Sequence, residues 1–457
     1  MKGYNKWSYS PYRPFFFETG DIYISRIAPA ESKIHIEWLD EGDVRYSVYV
    51  KERGRDEFIL SGTTFGNEFD IEVALPGRDY EFFVSSGNKK SRVRLARASD
   101  SLGTVVNYLH PDDDAYSFSG KYLCSPSLVR HPDGYLLASM DLFDHGAPQN
   151  LTLIYRSDDD GKSWHYVSEL MPCFWGKMFI HKGEVYMLAV STEYGDLLIG
   201  KSGDGGKTFT APVTLLRGSN GKRGEVGVHK NPQNVLYHNG RIYSTLEWGS
   251  WGKGYHAAMV MSCDADSDLL SPDSWEFTEP VKYDPTWPGV ATGESSGNIE
   301  GTLALGVDGK LYNIMRYDMT KTVEKFGLVL AYLVNTIDPS MPLSYSHSIK
   351  FPANHSKFMI KYDPLTKKYY SLASRITDAN AVRDRRLVSL MASDDLLHWS
   401  VLRDIIDERD KSANEVGFQY FDFIIENDEI IFLSRTAMNG AHNYHDSNYT
   451  TFHRIKI

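Results

Sequence analysis

From Asp21 to Arg97 apolar and polar positions alternate in short runs: IYISRIAP, KIHIEWL, RYSVYVKER, EFILSG, NEFDIEV, DYEFFVSS and SRVRLAR. Each run is bounded by turn-forming residues, and a period of two places one face of every run in a core. Seven such runs are the strand count of a β-sandwich. Beyond Ser99 the strand-like runs continue and a short segment recurs among them. Tyr155 to Trp164 reads YRSDDDGKSW and Lys201 to Phe209 reads KSGDGGKTF, so both contain Ser-x-Asp-x-Gly-x-Ser/Thr-aromatic. Weaker copies start at Ser262-Cys263-Asp264, leading to Trp275, and at Ser393-Asp394-Asp395, leading to Trp399. In such a segment the Ser and Asp oxygens satisfy backbone N–H groups of a tight turn and the aromatic ring plugs a core. Its acids are read as structural.

Within the first region, Leu75-Pro76-Gly77-Arg78-Asp79-Tyr80 resembles the corner of a fibronectin type III domain, where a tyrosine hydroxyl ties down a loop, and Trp38 lies in the second run. The recurring segment resembles the Asp box of sialidase-like β-propellers. Aligning each copy with what precedes it yields a unit of four strands: an innermost strand, a turn, a second strand, a third strand ending at the box, and an outer strand. The turns fall at Pro132-Asp133-Gly134, Lys182-Gly183, Asn239-Gly240, Asp308-Gly309, Pro364-Leu365-Thr366 and Asn427-Asp428. The last unit lacks an outer strand, and the unassigned run TVVNYLH near the start of the array can supply it and close the ring. The expectation is an all-β chain, with a fibronectin III-like sandwich over residues 20–98 and a propeller over 103–457. Six blades are expected, with seven as the alternative.

Composition narrows the function classes. The net charge of -11, with no run of lysine or arginine that offers the basic footprint nucleic acid requires, makes nucleic acid a poor partner. Cys124, Cys173 and Cys263 are far apart and show no metal-binding spacing, so buried thiols are expected, with neither a disulfide framework nor a zinc site. No run of about 18 apolar residues offers a membrane span and none near the start has signal-peptide form. As written, the chain is expected in the cytoplasm, or outside it if a leader has been removed. Nothing in the sequence calls for a cofactor or a metal. The cluster His442-Asn443-Tyr444-His445-Asp446 is expected to order the loop of the last blade.

In a blade the innermost strand starts and the second strand ends on one face, so side chains there converge on the mouth of the central channel. The second-strand ends read Asp141, Glu193 with Tyr194, Glu247, Arg316 with Tyr317, Arg375 and Arg435. The innermost-strand starts add Trp175, His229, Asn231, Glu300, Lys357, Gln419 and Tyr420. Three arginines at one mouth suit bidentate recognition of a carboxylate, so an anionic carbohydrate is the expected partner. Paired carboxylates are the equipment of glycosidic cleavage.

The stretches around Glu300 and Tyr420 resemble sialidase-family glycoside hydrolases. That resemblance implies Tyr420 as nucleophile activated by Glu300, Asp141 as acid/base and Arg316, Arg375 and Arg435 as a carboxylate clamp, with Glu247 the alternative acid. The stretch YLCSPSLV at Tyr122, followed by Ala138 to Asp141, is also similar to propeller ulvan lyases and related rhamnosidases. Two other readings therefore stand beside hydrolysis at or next to sialic acid or a uronate. One is β-elimination on a uronate polysaccharide, with His229 as base and Tyr194 or Tyr317 as acid. The other is a sugar-binding propeller without catalysis.

Overall fold

The computed structural model describes Trp7 and residues 22–39, 42, 44–219 and 224–457. The start of the expected sandwich, Gly20 and Asp21, lies outside the described residues. No helix among them is long and apolar enough to cross a membrane.

The alternating N-terminal runs form two antiparallel sheets. One pairs Ile24–Pro29 with Lys33–Trp38 and the latter with Glu68–Glu72. In the other, Tyr46–Glu52 lies between Ile59–Thr64 and Asp79–Ser86, which also pairs with Lys89–Lys90 and Arg94–Arg97. Ile27, Ile34, Ile36, Trp38, Val48, Phe82 and Val84 point inward from both sheets and are buried. The Tyr80 hydroxyl lies 3.1 Å from the Leu75 nitrogen and 3.2 Å from its carbonyl oxygen, tying the corner before the sixth run.

Six four-stranded antiparallel sheets follow in chain order, the blades of a propeller. Their innermost strands are Tyr122–Arg130, Phe174–His181, Gly227–His229 continued by Val235–His238, Asn298–Leu305, Met359–Asp363 and Gly417–Glu426. The second strands are Leu136–Phe143, Glu184–Val190, Arg241–Ser250, Leu311–Tyr317, Lys368–Ser374 and Glu429–Ala437. Thr104–Tyr108 pairs with Tyr449–Lys456 as the outer strand of the sixth blade, so the first strand of the array joins its last blade and closes the ring. All three cysteines are buried and unpaired.

The recurring Ser-x-Asp turns are held by their own side chains. Asp159 accepts from Ser163 N at 2.9 Å and Ser163 Oγ at 2.6 Å, and Gly161 N donates to Ser157 Oγ at 2.8 Å. The turn at Asp204 repeats these bonds with Thr208 and Gly206. Each turn delivers a fully buried ring, Trp164 or Phe209, between neighbouring blades. Trp164 meets Phe452 of the sixth blade with ring centroids 5.5 Å apart, and so plugs the seam where the ring closes. Gly161, at φ 87°, lies beneath the same phenylalanine, where a Cβ would come within 2.1 Å of the ring. Trp164→Ala is expected to destabilise the protein by about 3–5 kcal/mol through the cavity left at that seam, measured as a fall in the urea midpoint.

Candidate active site

The channel mouth is built by a repeated backbone irregularity. In the first, second, fourth and sixth blades the innermost strand carries two residues opposite one of its partner, at Ser125-Pro126, Trp175-Gly176, Glu300-Gly301 and Tyr420-Phe421. The first residue of each bulge is left-handed, with φ of 44°, 51°, 60° and 58°. Four non-glycine residues in that region at equivalent positions store strain, and bulges of this kind re-aim a side chain out of the regular pleat. Trp175, Glu300 and Tyr420 all line one cavity of about 370 Å³, which His229, Arg316, Arg385 and Arg435 share.

The Tyr420 hydroxyl donates to Glu300 Oε1 at 2.8 Å, and Arg316 Nη1 donates to Glu300 Oε2 at 2.6 Å. Burial alone would raise the Glu300 carboxyl, but Arg316 and His229 outweigh it and hold the group below the ordinary carboxylate value. Burial and the adjacent Glu300 charge push the Tyr420 phenol up to about 12. The pair therefore rests as neutral phenol and carboxylate, hydrogen-bonded and ready to pass a proton.

Arg385 is buried, and burial lowers its guanidinium to about 10. One of its nitrogens lies 3.3 Å from the His355 carbonyl; its Nε and Nη1, with Nε of Arg435, have no acceptor among the described residues. Arg435 stands over the Tyr420 ring at 5.3 Å. Buried guanidinium N–H groups without protein acceptors are costly, and a bound anion relieves that cost.

On the opposite wall His229 Nδ1 lies 2.6 Å from Glu247 Oε2, and Glu247 Oε1 accepts from Gly301 N at 3.1 Å. The carboxylate thus fixes the tautomer and leaves Nε2 as the other ring nitrogen. Trp175 packs on the His229 ring at 4.3 Å, and His256 at 5.0 Å. Burial first, then His229, holds His256 well below the usual histidine value.

No protein-family model and no curated protein sequence matches the chain. Its backbone is similar to that of the Penicillium chrysogenum α-L-arabinanase complexed with arabinobiose, with TM-score 0.51 and 14% identity over 78% of this chain and 98% of the other. It is also similar to an α-L-arabinofuranosidase from Fusarium graminearum, at 0.51 and 11% over 78% and 98%. The leech intramolecular trans-sialidase matches at 0.50 and 9%, over 95% of this chain and 98% of its own. The chain shares their propeller fold.

Within that fold the expected mouth residues separate into three groups. Tyr420, Glu300, His229, Trp175, Glu193, Arg316 and Arg435 line the cavity. Asp141, Glu247, Tyr194 and Tyr317 do not, and their expected direct roles are corrected. Asp141 is buried behind Trp175, accepts from its backbone and from Thr152 Oγ1 at 2.5 Å, and is pushed up to about 8 by that burial. Glu247 stands behind His229. The hydroxyl of Tyr194 lies 3.2 Å from His256 and that of Tyr317 lies 2.7 Å from Tyr283.

Arg375 is the one member of the expected clamp that points elsewhere. Arg316 and Arg435 pair across the strand with Ile299 and Gln419, three positions before Thr302 and Asp422. In the fifth blade Met359 pairs with Leu372, as Thr302 does with Ile314, so the equivalent of Arg316 is Ser374. Arg375 is one residue further on, and a one-residue step reverses the face. It bonds Ser389 at 2.9 Å and Asp404 at 2.7 Å instead. Arg385, from the loop that follows, takes its place; the run Arg383-Asp384-Arg385-Arg386 in a return loop on the mouth face was the signal for it. His256, Trp251 and His355 also line the cavity and carry no comparable signal.

Proposed function

We propose that the chain is a glycoside hydrolase of sialidase-like, Asp-box type, acting at the end of a glycan on an acidic sugar, sialic acid or a uronate. The observation that carries this reading is the Tyr420–Glu300 hydrogen bond at 2.8 Å beside the half-buried Arg316 and the buried Arg385 and Arg435. The carboxylate of the sugar takes the open N–H groups of Arg385 and Arg435, with Arg316 dividing its charge between Glu300 and the ligand. A cavity of about 370 Å³ suits one terminal sugar better than a chain passing through. As the phenolic proton moves to Glu300, the Tyr420 oxygen bonds to the anomeric carbon and the bond to the leaving oxygen breaks. His229, starting as the imidazolium with its Nδ1–H held by Glu247, gives that oxygen the proton from Nε2. Water, losing a proton to the same nitrogen, then releases the sugar and Tyr420 recovers its proton from Glu300. A phenol is a suitable nucleophile beside a carboxylate-bearing centre, because it attacks without bringing a second full negative charge.

The three structural relatives named above include enzymes of neutral arabinose polymers, so substrate charge is the question to test. Aryl glycosides of sialic acid, glucuronic acid, galacturonic acid and arabinose should be compared for release of the aryl alcohol. Turnover of at least one acidic glycoside and none of the arabinoside is expected, with Arg385→Lys raising KM at least about tenfold because the planar fork is lost. Turnover of the arabinoside alone would overturn the acidic-sugar reading.

A further inference from the structure

Far from the channel mouth, on the side where the sandwich meets the first blade, a second group of ligating side chains converges. His35 and Glu37 lie two apart on the strand Lys33–Trp38 and share a face. Glu68 stands directly across the ladder from Glu37. His165 approaches Glu37 from His165–Leu170, the outer strand of the first blade. Ligand atoms of His35, Glu37 and Glu68 all lie within 4.8 Å of one another.

Two distances give this cluster its meaning. Glu37 Oε1 is 3.4 Å from His35 Nε2 and 3.3 Å from His165 Nδ1. Two donors on one tetrahedral zinc ion, each at about 2.0–2.1 Å, stand about 3.3 Å apart. The other nitrogen of His35 is already committed: Nδ1 lies 2.7 Å from Asp70 Oδ1, and Asp70 also accepts from Lys33 at 2.7 Å. Asp70 is thus an acceptor, and His35 Nδ1 carries the proton. The lone pair of Nε2 then faces a carboxylate oxygen, an arrangement that needs a cation or a second proton between them. A carboxylate on the far nitrogen is also the usual outer partner of a metal-bound histidine. Arg26 Nη1 contacts the same Glu37 oxygen at 2.7 Å while its other nitrogens bond the carbonyls of Val105 and Val106, so it occupies one lone pair and leaves one for an ion. Glu68 and His165 are exposed at the outer side, which gives an ion a path from solvent.

We propose that His35, His165, Glu37 and Glu68 form a binding site for a divalent zinc-type ion that pins the sandwich to the first propeller blade. Two imidazoles and two carboxylates are a donor set that zinc accepts and that calcium and magnesium disfavour. The ion replaces the unfavourable contact between lone pairs, and because its ligands come from three strands of two sheets, binding stabilises the junction.

The test uses the full chain, stripped with EDTA and dialysed, then titrated with zinc chloride alone. One zinc per chain by elemental analysis is expected, with a rise of a few degrees in the melting temperature that calcium chloride does not reproduce. His165→Gln, at an exposed position with little packing to lose, should weaken zinc binding at least tenfold, and His35→Gln should do so independently. Failure of the stripped protein to take up zinc would overturn the proposal. So would uptake that both variants leave unchanged, or a melting temperature that answers to pH between 5 and 7 and not to zinc, which would assign the cluster to shared protons.

Discussion

Tyr420→Phe and Glu300→Gln are each expected to lower kcat at least about a thousandfold, equivalent to about 4 kcal/mol of transition-state stabilisation. Phenylalanine fills the same space on the sixth-blade bulge but has no oxygen to attack with. Glutamine keeps a contact to the hydroxyl but cannot take its proton. The two side chains form one proton-transfer unit across 2.8 Å, so the double variant should be little slower than either single one. The pH profile adds a second reading. Glu300 is held below the ordinary carboxylate value by Arg316 and His229, so its charge survives mild acid and the acid limb of kcat/KM should lie at low pH. Arg316→Met should move that limb upward. Single variants that keep near-normal rates while His229→Ala is inactive would reverse the assignment. The histidine, held by Glu247, would then act as the base of an elimination, recognised by the ultraviolet absorbance of an unsaturated uronate.

Fold and site differ in how far the sequence carries them, and the reason is register. Blades are local: four strands in chain order, with turns such as Asp308-Gly309 and Asn427-Asp428 where the backbone needs special angles, so periodicity and turn chemistry suffice to count them. Ring closure by Thr104–Tyr108 follows from a missing outer strand and an unassigned run. Glu300 and Tyr420 are legible because both begin innermost strands at one face. Which strand-end residues truly reach the channel depends on parity and depth. Arg375 fails by parity, one residue past Ser374. Asp141 and Glu247 are in register with Arg316 and Arg435, yet they lie behind Trp175 and His229, and no pattern along the chain distinguishes the front of a mouth from its back. Arg385 comes from a loop, where neither period nor register applies. The His35–His165 cluster joins residues 130 positions apart and has no motif spacing at all.

Asp422 lies on the innermost strand of the sixth blade, two residues past Tyr420, and Asp422→Asn is expected to produce the largest loss of stability among the polar substitutions. Asp422 is fully buried, accepts from Leu128 N at 2.8 Å, and contacts the Lys177 ammonium, with Lys361 at 4.0 Å. Lys357 also feels its charge. Burial would raise Asp422, but the three lysines prevail and keep it below the ordinary carboxylate value. The lysines pay the opposite toll: burial first, despite Asp422, lowers Lys357 and Lys361 to about 8. Asparagine keeps the shape and the bond to Leu128 but leaves those ammonium groups without their counter-charge, which in a buried site costs about 3–5 kcal/mol. The sign of the pH dependence follows from linkage. Asp422, lowered in the folded state, contributes stability above its unfolded value that is lost as pH falls through its folded value. The lysines, lowered in the folded state, bind fewer protons there than in the unfolded chain from about pH 8 to the ordinary lysine value near 10.4, so their terms favour folding increasingly as pH rises through that window. Without Asp422 their folded values fall further and the window opens at lower pH. The deficit of the variant should therefore be largest near pH 6 and should narrow by pH 9, when the buried lysines of both proteins are shedding their protons. Urea midpoints at the two pH values measure it. A deficit equal at both would mean that Asp422 acts through its hydrogen bond to Leu128 and not through its charge.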